Sequence, residues 1–181
     1  GDELVQPGEQ PGPDQIIASN TYGLAAQLDA LGAETRLMPI AADNAPSLKR
    51  SFELAQGADL IITIGGASVG DHDLVAPVAA EMGMEQAFYK VALRPGKPLM
   101  AGRMGDAAMV GLPGNPVSAL VCGTVFVAPM VRAMLGLADR GRVLDLFDLI
   151  MSGDAAGALA ELSAQYADGA DPMAVLRDLA A

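Results

Sequence analysis

Two glycines and a serine follow an apolar run in the segment DLIITIGGASVGDHD, residues 59–73. In open α/β sheets, ligands bind beyond the carboxyl ends of the strands, where glycines let the backbone approach an anion. Gly65 and Gly66 are therefore candidate phosphate contacts, and the Ser68 hydroxyl is a candidate hydrogen-bond donor to the same group. The alternative is a tight turn that requires positive φ at the glycines, with Ser68 capping it.

A pair of carboxylates ends the same segment. Asp71 and Asp73 flank His72, the single histidine of the chain. Free carboxylates after a strand are natural ligands of Mg²⁺, which prefers oxygen. Asp73 is equally well placed to cap the helix predicted to begin near Leu74. His72 has no second histidine or cysteine to complete a site for a softer metal, so we interpret it as a surface residue.

Two cations occupy a turn further along the chain. Residues 93–102, LRPGKPLMAG, place Arg94 and Lys97 around a Pro-Gly turn. Cations on a rigid turn of an otherwise acidic protein are suited to neutralise a phosphate group. The alternative is the tip of a solvated hairpin.

The most unusual segment is GLPGNPVSAL, residues 111–120. Pro113 and Pro116 fix their φ angles, while Gly111 and Gly114 permit turns that other residues resist. Pro116 is also typical of the first turn of a helix. The pattern predicts a stiff loop beside a helix N-terminus, a place that attracts anions.

The overall composition restricts the classes of partner. The chain has 181 residues, 51% of them hydrophobic, and a formal net charge of −11, so a core is expected and a nucleic-acid partner is not. Cys122 stands alone in an apolar run and reads as core packing. We see no apolar stretch approaching the ~20 residues that span a bilayer, so we expect a cytoplasmic protein with no membrane partner.

The elements that would position these residues alternate between strand and helix. The run 60–64 is continuously apolar, as in a strand covered on both faces of a parallel sheet. We also predict a strand over 34–40 and a long buried helix from Pro116. The body is therefore α/β. From residue 143 onward the pattern predicts three short amphipathic helices and no strand.

Taken in order, four motifs resemble the molybdopterin molybdenumtransferase family, which contains the bacterial MoeA proteins and the E domain of gephyrin. The motifs are GDELVQPGEQPGPDQIIASN, DLIITIGGASVGDHD, LRPGKPLMAG and GLPGNPVSAL, and the resemblance covers residues 1–136. It implies a three-layer α/β/α domain with a mostly parallel sheet, of the MoaB/Mog-like molybdopterin-binding type. It also implies an enzyme that takes adenylylated molybdopterin and molybdate, hydrolyses the adenylate with Mg²⁺, and leaves molybdenum on the dithiolene.

The resemblance assigns roles to particular residues. Glu3, Asp43 and Asp73 match acidic positions of the family and are the expected catalytic residues, with Asp43 and Asp73 as candidates to bind Mg²⁺ or to order molybdate and water. The expected contacts to the pterin phosphate or adenylate are Gly65, Gly66, Ser68, Arg94, Lys97, Pro113, Gly114, Asn115 and Pro116.

The chain also departs from the family pattern. Family members place an apolar strand directly before the GDEL segment, and earlier domains complete their active site across a dimer. We therefore expect residues upstream of Gly1, and a homo-oligomer such as a dimer or trimer.

The C-terminal residues carry a second resemblance. Residues 137–181 resemble part of the gamma/tau subunit of bacterial DNA polymerase III, which suggests a fusion; a divergent helical C-terminus is the alternative. The ATPase loop of that subunit is absent from the sequence, so no polymerase-loading activity is inferred. Two other functions stay open here: a non-catalytic helical interaction module, and a domain like the molybdopterin adenylyltransferases.

Overall fold

The computed structural model describes residues 1–66, 74–92, 94, 96–137 and 139–179. Contacts within the chain divide it into two units. The α/β unit comprises Gly1–Ala30 and Glu34–Val127, and the helical unit comprises Leu31–Ala33 and Ala128–Ala181.

The α/β unit contains every strand of the described residues. Strands β1 and β2 form a two-stranded parallel sheet, and the other strands form a four-stranded sheet in the order β3-β6-β5-β4. The strands are β1 (Leu4–Val5), β2 (Ile16–Ile17), β3 (Leu60–Ile64), β4 (Met84–Tyr89), β5 (Met100–Met104) and β6 (Ala107–Leu112).

The predicted α/β class is confirmed, and so is the all-helical C-terminal region. The larger sheet is mixed rather than mostly parallel: β3 pairs with β6 in parallel, whereas β5 pairs antiparallel with both β4 and β6. The reason lies in the short connection between β5 and β6, where Gly105 adopts a φ of 61°. Strands joined by such a tight turn can only be antiparallel neighbours, because a parallel pair needs a long crossover.

Helices cover both faces of this sheet. They are α1 (Asn20–Asp29), α2 (Ala45–Leu54), α3 (Val75–Glu81) and α4 (Pro116–Cys122). The start of α2 is fixed by Asn44, whose side chain accepts a hydrogen bond from the Ser47 backbone N–H at 2.9 Å. Beyond the end of α1, Gly32 has a φ of 91°, a conformation typical of glycines that follow the end of a helix.

The core forms where apolar faces of helices and sheet meet. Phe52 of α2 and Val78 of α3 join Met100 and Met109 of the sheet in one buried cluster. Because side chains alternate along a strand, Val110 projects from the opposite face, where α4 contacts β6 and α1 contacts α4. The result is the three-layer arrangement that the sequence predicts.

The strand predicted over 34–40 does not form, and this prediction is wrong. The segment has no regular structure, and Leu37 is 45% exposed. A strand requires a hydrogen-bonded neighbour, and no described strand runs beside these residues.

Helix α4 continues through a π-helical segment, Gly123–Val127, into α5 (Ala128–Met134). The whole stretch Pro116–Met134 has 19 residues and a mean hydropathy of 1.7. It is long and apolar enough to cross a membrane by length and composition alone, so the expectation that no stretch approaches this length is wrong. The core helix of a soluble protein passes the same test, but 33% of this window is buried, so the prediction of a buried helix holds for Ala119, Cys122 and Val127 and not for most of the stretch.

The helical unit contains the three predicted C-terminal helices. They are α6 (Arg140–Met151), α7 (Ala155–Ala167) and α8 (Pro172–Leu179). Val143, Leu146, Ala158 and Val175 form a buried cluster among them. Asp154 caps α7 by accepting a hydrogen bond from the Gly157 N–H at 2.9 Å.

One ionic network ties α6 to α7 and to the residues that follow it. Arg142 donates to the Glu161 carboxylate at 2.7 Å and forms a second ion pair with Asp168. The buried Gln165 side chain donates to the Arg142 carbonyl at 2.9 Å and to Glu161 at 3.0 Å. The hydrogen bonds from Arg142 and then Gln165 hold the pKa of Glu161 below its ordinary value.

Candidate glycine-loop site

Two loops meet where the parallel strands β3 and β6 end. Ile64 and Leu112 are register partners, and the N–H of Gly65 donates to the Leu112 carbonyl at 2.9 Å. A Cβ atom on Gly114 would lie 3.4 Å from the Cα of Gly65. The structure therefore brings together two segments that the sequence predicts as phosphate contacts.

The backbone of this edge offers unpaired donors. The N–H groups of Gly66, Gly114 and Asn115 have no hydrogen-bond partner within the described residues, and all three residues are exposed. Gly65 and Gly66 have φ angles of 84° and 67°, so the tight turn named as an alternative is present. The turn does not exclude ligand binding, because successive backbone N–H groups in such turns form anion-binding concavities.

The proline loop, residues 113–116, is held at both ends. Pro113 is buried, and Pro116 occupies the first turn of α4. The Asn115 side chain accepts a hydrogen bond from the Ser118 N–H at 3.2 Å and so caps that helix. Because its side chain caps α4, Asn115 is expected to contact a ligand through its backbone N–H, which has no partner among the described residues.

A side chain at the start of α1 also reaches this loop. The Nδ2 amide of Asn20 donates to the Gly114 carbonyl at 2.7 Å. Ser19 occupies the cap position of α1 without a side-chain capping bond. The sequence pattern could not reveal this role, because the two residues lie 94 positions apart.

The turn that carries Arg94 and Lys97 lies at the same edge of the sheet. Tyr89 pairs with Met100, and Met100 in turn pairs with Gly111, directly before the proline loop. The Val91 N–H donates to the Lys97 carbonyl at 3.1 Å and closes the turn. Both cationic side chains are on exposed residues, so the turn presents positive charge beside the glycine loops.

Lys90, directly after β4, is a third cation in this turn, and it is not among the site residues predicted from the sequence. Its φ of 69° is the single positive value for a non-glycine residue in the described part of the chain. Its Nζ lies 4.7 Å from the centroid of the Tyr89 ring. Lys90 lies close to Arg94 and Lys97 in sequence, so a search for clustered cations would have identified it. Its left-handed backbone conformation depends on the hairpin and cannot be recognised from residue types.

The carboxylates predicted near the N-terminus form a separate group. The Asp2 N–H donates to the Asp43 carboxylate at 3.0 Å, and the Asp43 N–H donates to the Asp2 carboxylate at 3.2 Å. The side chains of Glu3 and Asp43 are 56% and 64% exposed. Within the described residues, no hydrogen bond or ion pair links this group to the glycine loops.

Two predicted site residues, Ser68 and Asp73, lie outside the described residues. The described part of the chain contains no group of three or more His, Cys, Asp or Glu residues that could hold a metal ion. The pairing of Asp43 with Asp73 at a magnesium site therefore stays a prediction.

Two known families match the chain, and their matches overlap at residues 127–133. Residues 1–133 match the family described as "Probable molybdopterin binding domain". Residues 127–181 match the family described as "DNA polymerase III subunits gamma and tau domain III". Both resemblances found in the sequence are confirmed.

Individual relatives agree with the first match. A molybdopterin molybdenumtransferase of Nostoc sp. is 41% identical over 142 residues, which are 76% of this chain and 33% of the relative. Molybdopterin molybdenumtransferase 2 of Mycobacterium tuberculosis is 40% identical over 150 residues, 78% of this chain and 36% of the relative. The chain thus spans about a third of the length of the curated relatives it matches.

A solved structure shows the same relationship in three dimensions. The molybdopterin biosynthesis moea protein from Pyrococcus horikosii matches with a TM-score of 0.65 and 35% identity, over 72% of this chain and 32% of that one. The named relatives are molybdenumtransferases, so a helical interaction module and an adenylyltransferase-like domain are not favoured. Through residues 1–133, the chain belongs to the probable molybdopterin-binding domain family.

Proposed function

We propose that the α/β unit binds adenylylated molybdopterin and molybdate, and that it acts in molybdenum cofactor biosynthesis as part of a molybdopterin molybdenumtransferase activity. The observation that carries this proposal is the close approach of Gly114 to Gly65 at the carboxyl ends of two parallel strands. A Cβ atom placed on Gly114 would lie 3.4 Å from the Gly65 Cα. These strand ends form the edge at which open α/β sheets bind ligands. The family match of residues 1–133 supports the identity of the ligand.

The chemistry proposed for this edge is the cleavage of a phosphoric anhydride. Such a reaction depends mostly on positioning and on stabilising developing negative charge. The N–H groups of Gly66, Gly114 and Asn115, which have no partner among the described residues, would hold phosphate oxygens. Arg94 and Lys97, on the turn at the same edge, would neutralise charge.

We further propose that Asp43 and Asp73 hold Mg²⁺, and that Glu3 acts beside them. The residues present fit this ion in type: the Asp43 carboxylate is 64% exposed, accepts one hydrogen bond from the described residues and lies 3.9 Å from the Gly1 ammonium, so lone pairs remain for a hard cation. When bound, Mg²⁺ would stabilise charge on phosphate oxygens. The protein residues would orient the phosphate and the molybdate.

We also make proposals about the domain boundary, the class of substrate, the cellular location and the oligomeric state. We propose a boundary between a molybdopterin-binding domain, residues 1–136, and a helical domain, residues 137–181; the two family matches overlap nearby, at residues 127–133. The net charge of −11 supports a small-molecule substrate rather than nucleic acid. We also propose a cytoplasmic location and a homo-oligomer.

Isothermal titration calorimetry with molybdopterin adenylate tests the proposal. The wild-type chain should bind the ligand, and Asp43→Ala and Asp73→Ala should reduce Mg²⁺-dependent binding or turnover. Asp106→Ala is the matched control, because this exposed aspartate lies in the β5–β6 turn at the opposite edge of the sheet. Absence of binding by the wild type would overturn the proposed ligand. Wild-type-like Mg²⁺ dependence in both site variants would remove the metal role of the two aspartates.

A further inference from the structure

Asn20 contacts the Gly114 carbonyl of the proline loop. The same peptide group carries the N–H of Asn115, which has no partner among the described residues. The Nδ2 of Asn20 donates to the Gly114 oxygen at 2.7 Å, and this oxygen shares a peptide plane with the N–H of Asn115. In a trans peptide, the carbonyl and the N–H point in opposite directions. A bond that fixes the Gly114 carbonyl toward α1 therefore turns the Asn115 N–H away from α1.

Other contacts of these two residues leave the N–H and the carbonyl of this peptide itself unbonded: Gly114 packs against Gly65, and the Asn115 carbonyl, which belongs to the next peptide, accepts from the Ala119 N–H at 2.8 Å. The Asn115 side chain is bonded to Ser118, so it orients α4 rather than its own N–H. The N–H groups of both Gly114 and Asn115 lack partners in the described part of the chain. Gly114 has no side chain to restrict its rotation, so the hydrogen bond from Asn20 is the described contact that sets the orientation of this peptide.

We propose that Asn20 is a positioning residue of the glycine-loop site, which holds the Asn115 N–H in the direction that donates to an anionic group of the ligand. The inference rests on the proposed function, because it takes that function's ligand as the acceptor. Asn20 does not need to contact the ligand: it acts through the Gly114 carbonyl.

The chain supplies a matched control on the same helix. Gln27, two turns further along α1, donates through Nε2 to the Thr124 hydroxyl at 2.6 Å. This bond also connects α1 to the helical stretch that begins with α4, but it lies away from the proline loop. Asn20→Leu and Gln27→Leu each remove an amide donor from α1, and only the first releases the Gly114 carbonyl.

The test measures molybdopterin adenylate binding by calorimetry and the amide proton shift of Asn115 by NMR, in the wild type and both variants. Loss of one oriented donor corresponds to about a tenfold weaker Kd for Asn20→Leu. The Asn115 amide resonance should move in this variant without ligand. Gln27→Leu should keep the wild-type Kd and the wild-type Asn115 resonance. Asn20→Ala gives the same test if the leucine variant does not fold.

The outcomes separate the two proposals. A wild type that binds, with an Asn20→Leu Kd and Asn115 resonance unchanged, overturns the role of Asn20 and leaves the proposed function intact. Equal weakening in Asn20→Leu and Gln27→Leu also overturns it, because a general loosening of α1 would then be the cause. A wild type that does not bind overturns both proposals together.

Discussion

The two units of the chain differ in how many of their polar groups are hydrogen-bonded within the protein. In the α/β unit, the backbone donors at Gly66, Gly114 and Asn115 have no partner among the described residues and lie at one exposed edge. In the helical unit, Arg142 is paired with two carboxylates, and the buried Gln165 amide donates to two partners inside the unit, while its Oε1 has no partner among the described residues. Unpaired donors at a sheet edge are available to a ligand, whereas an internally bonded network stabilises packing. The contrast supports the proposal that the first unit binds the ligand.

The largest expected effect tests whether the helical unit has a core of its own. Leu146 is 2% exposed and belongs to the buried cluster of α6–α8. Leu146→Ala should cost about 2–5 kcal/mol, because the lost burial adds to the cavity left behind. Amide hydrogen exchange should accelerate in α6, α7 and α8, while the β3–β6 amides keep their protection. Leu144→Ala is the control on the same helix, since Leu144 is 64% exposed.

A buried glycine of the sheet provides the corresponding test in the α/β unit. A Cβ atom on Gly111 would lie 2.6 Å from the Met100 Cγ and 3.2 Å from the Thr63 hydroxyl. Gly111→Ala should destabilise the unit by about 1–3 kcal/mol through overpacking, as measured by urea unfolding. Gly23→Ala in α1 meets nothing nearer than 3.4 Å and should be neutral or slightly stabilising. Equal effects of the two substitutions would contradict the packing described for β6.

A capping substitution should have a smaller effect. The Asp154 side chain accepts from the Gly157 N–H at 2.9 Å at the start of α7. Asp154→Ala should cost about 1 kcal/mol in thermal or urea unfolding. Asp154→Asn keeps the acceptor and should recover most of this loss. If the asparagine variant is as unstable as the alanine variant, the hydrogen bond is not what stabilises the helix start.

The smallest expected effect is the pH dependence of the ionic network. Hydrogen bonds from Arg142 and Gln165 lower the pKa of Glu161 in the folded state. The carboxylate therefore contributes stability above its unfolded pKa of about 4.3, and this contribution is lost as the pH falls through the lower folded value. Glu161→Gln should flatten that part of the acid-unfolding curve of α6–α8 relative to the wild type. Parallel curves for the two proteins would show that the network does not contribute.

Local signals in the sequence predict much of this fold. The continuous apolar run 60–64 is a strand, and the three amphipathic patterns that follow residue 143 are helices. These features depend on residues within a few positions of one another. The failed strand over 34–40 shows the limit, because an extended segment becomes a strand only when a neighbour pairs with it.

The site was predictable to the extent that its residues follow strand ends. Gly65 and Gly114 meet because β3 and β6 are parallel neighbours. The sequence predicts both glycines as ligand contacts, but not the pairing of these two strands. The Asn20 bond to Gly114, the exchange of hydrogen bonds between Asp2 and Asp43, and the left-handed Lys90 depend on tertiary geometry. No spacing rule within the sequence encodes them.

Backbone NMR of the wild-type chain, titrated with molybdopterin adenylate, tests the central claim most directly. We expect the largest amide shift changes at Gly66, Gly114 and Asn115, the unpaired donors of the two loops. The amides of α6, α7 and α8 should stay in place. Shift changes centred on those helices, with the glycine loops unaffected, would contradict the assignment of ligand binding to the sheet edge.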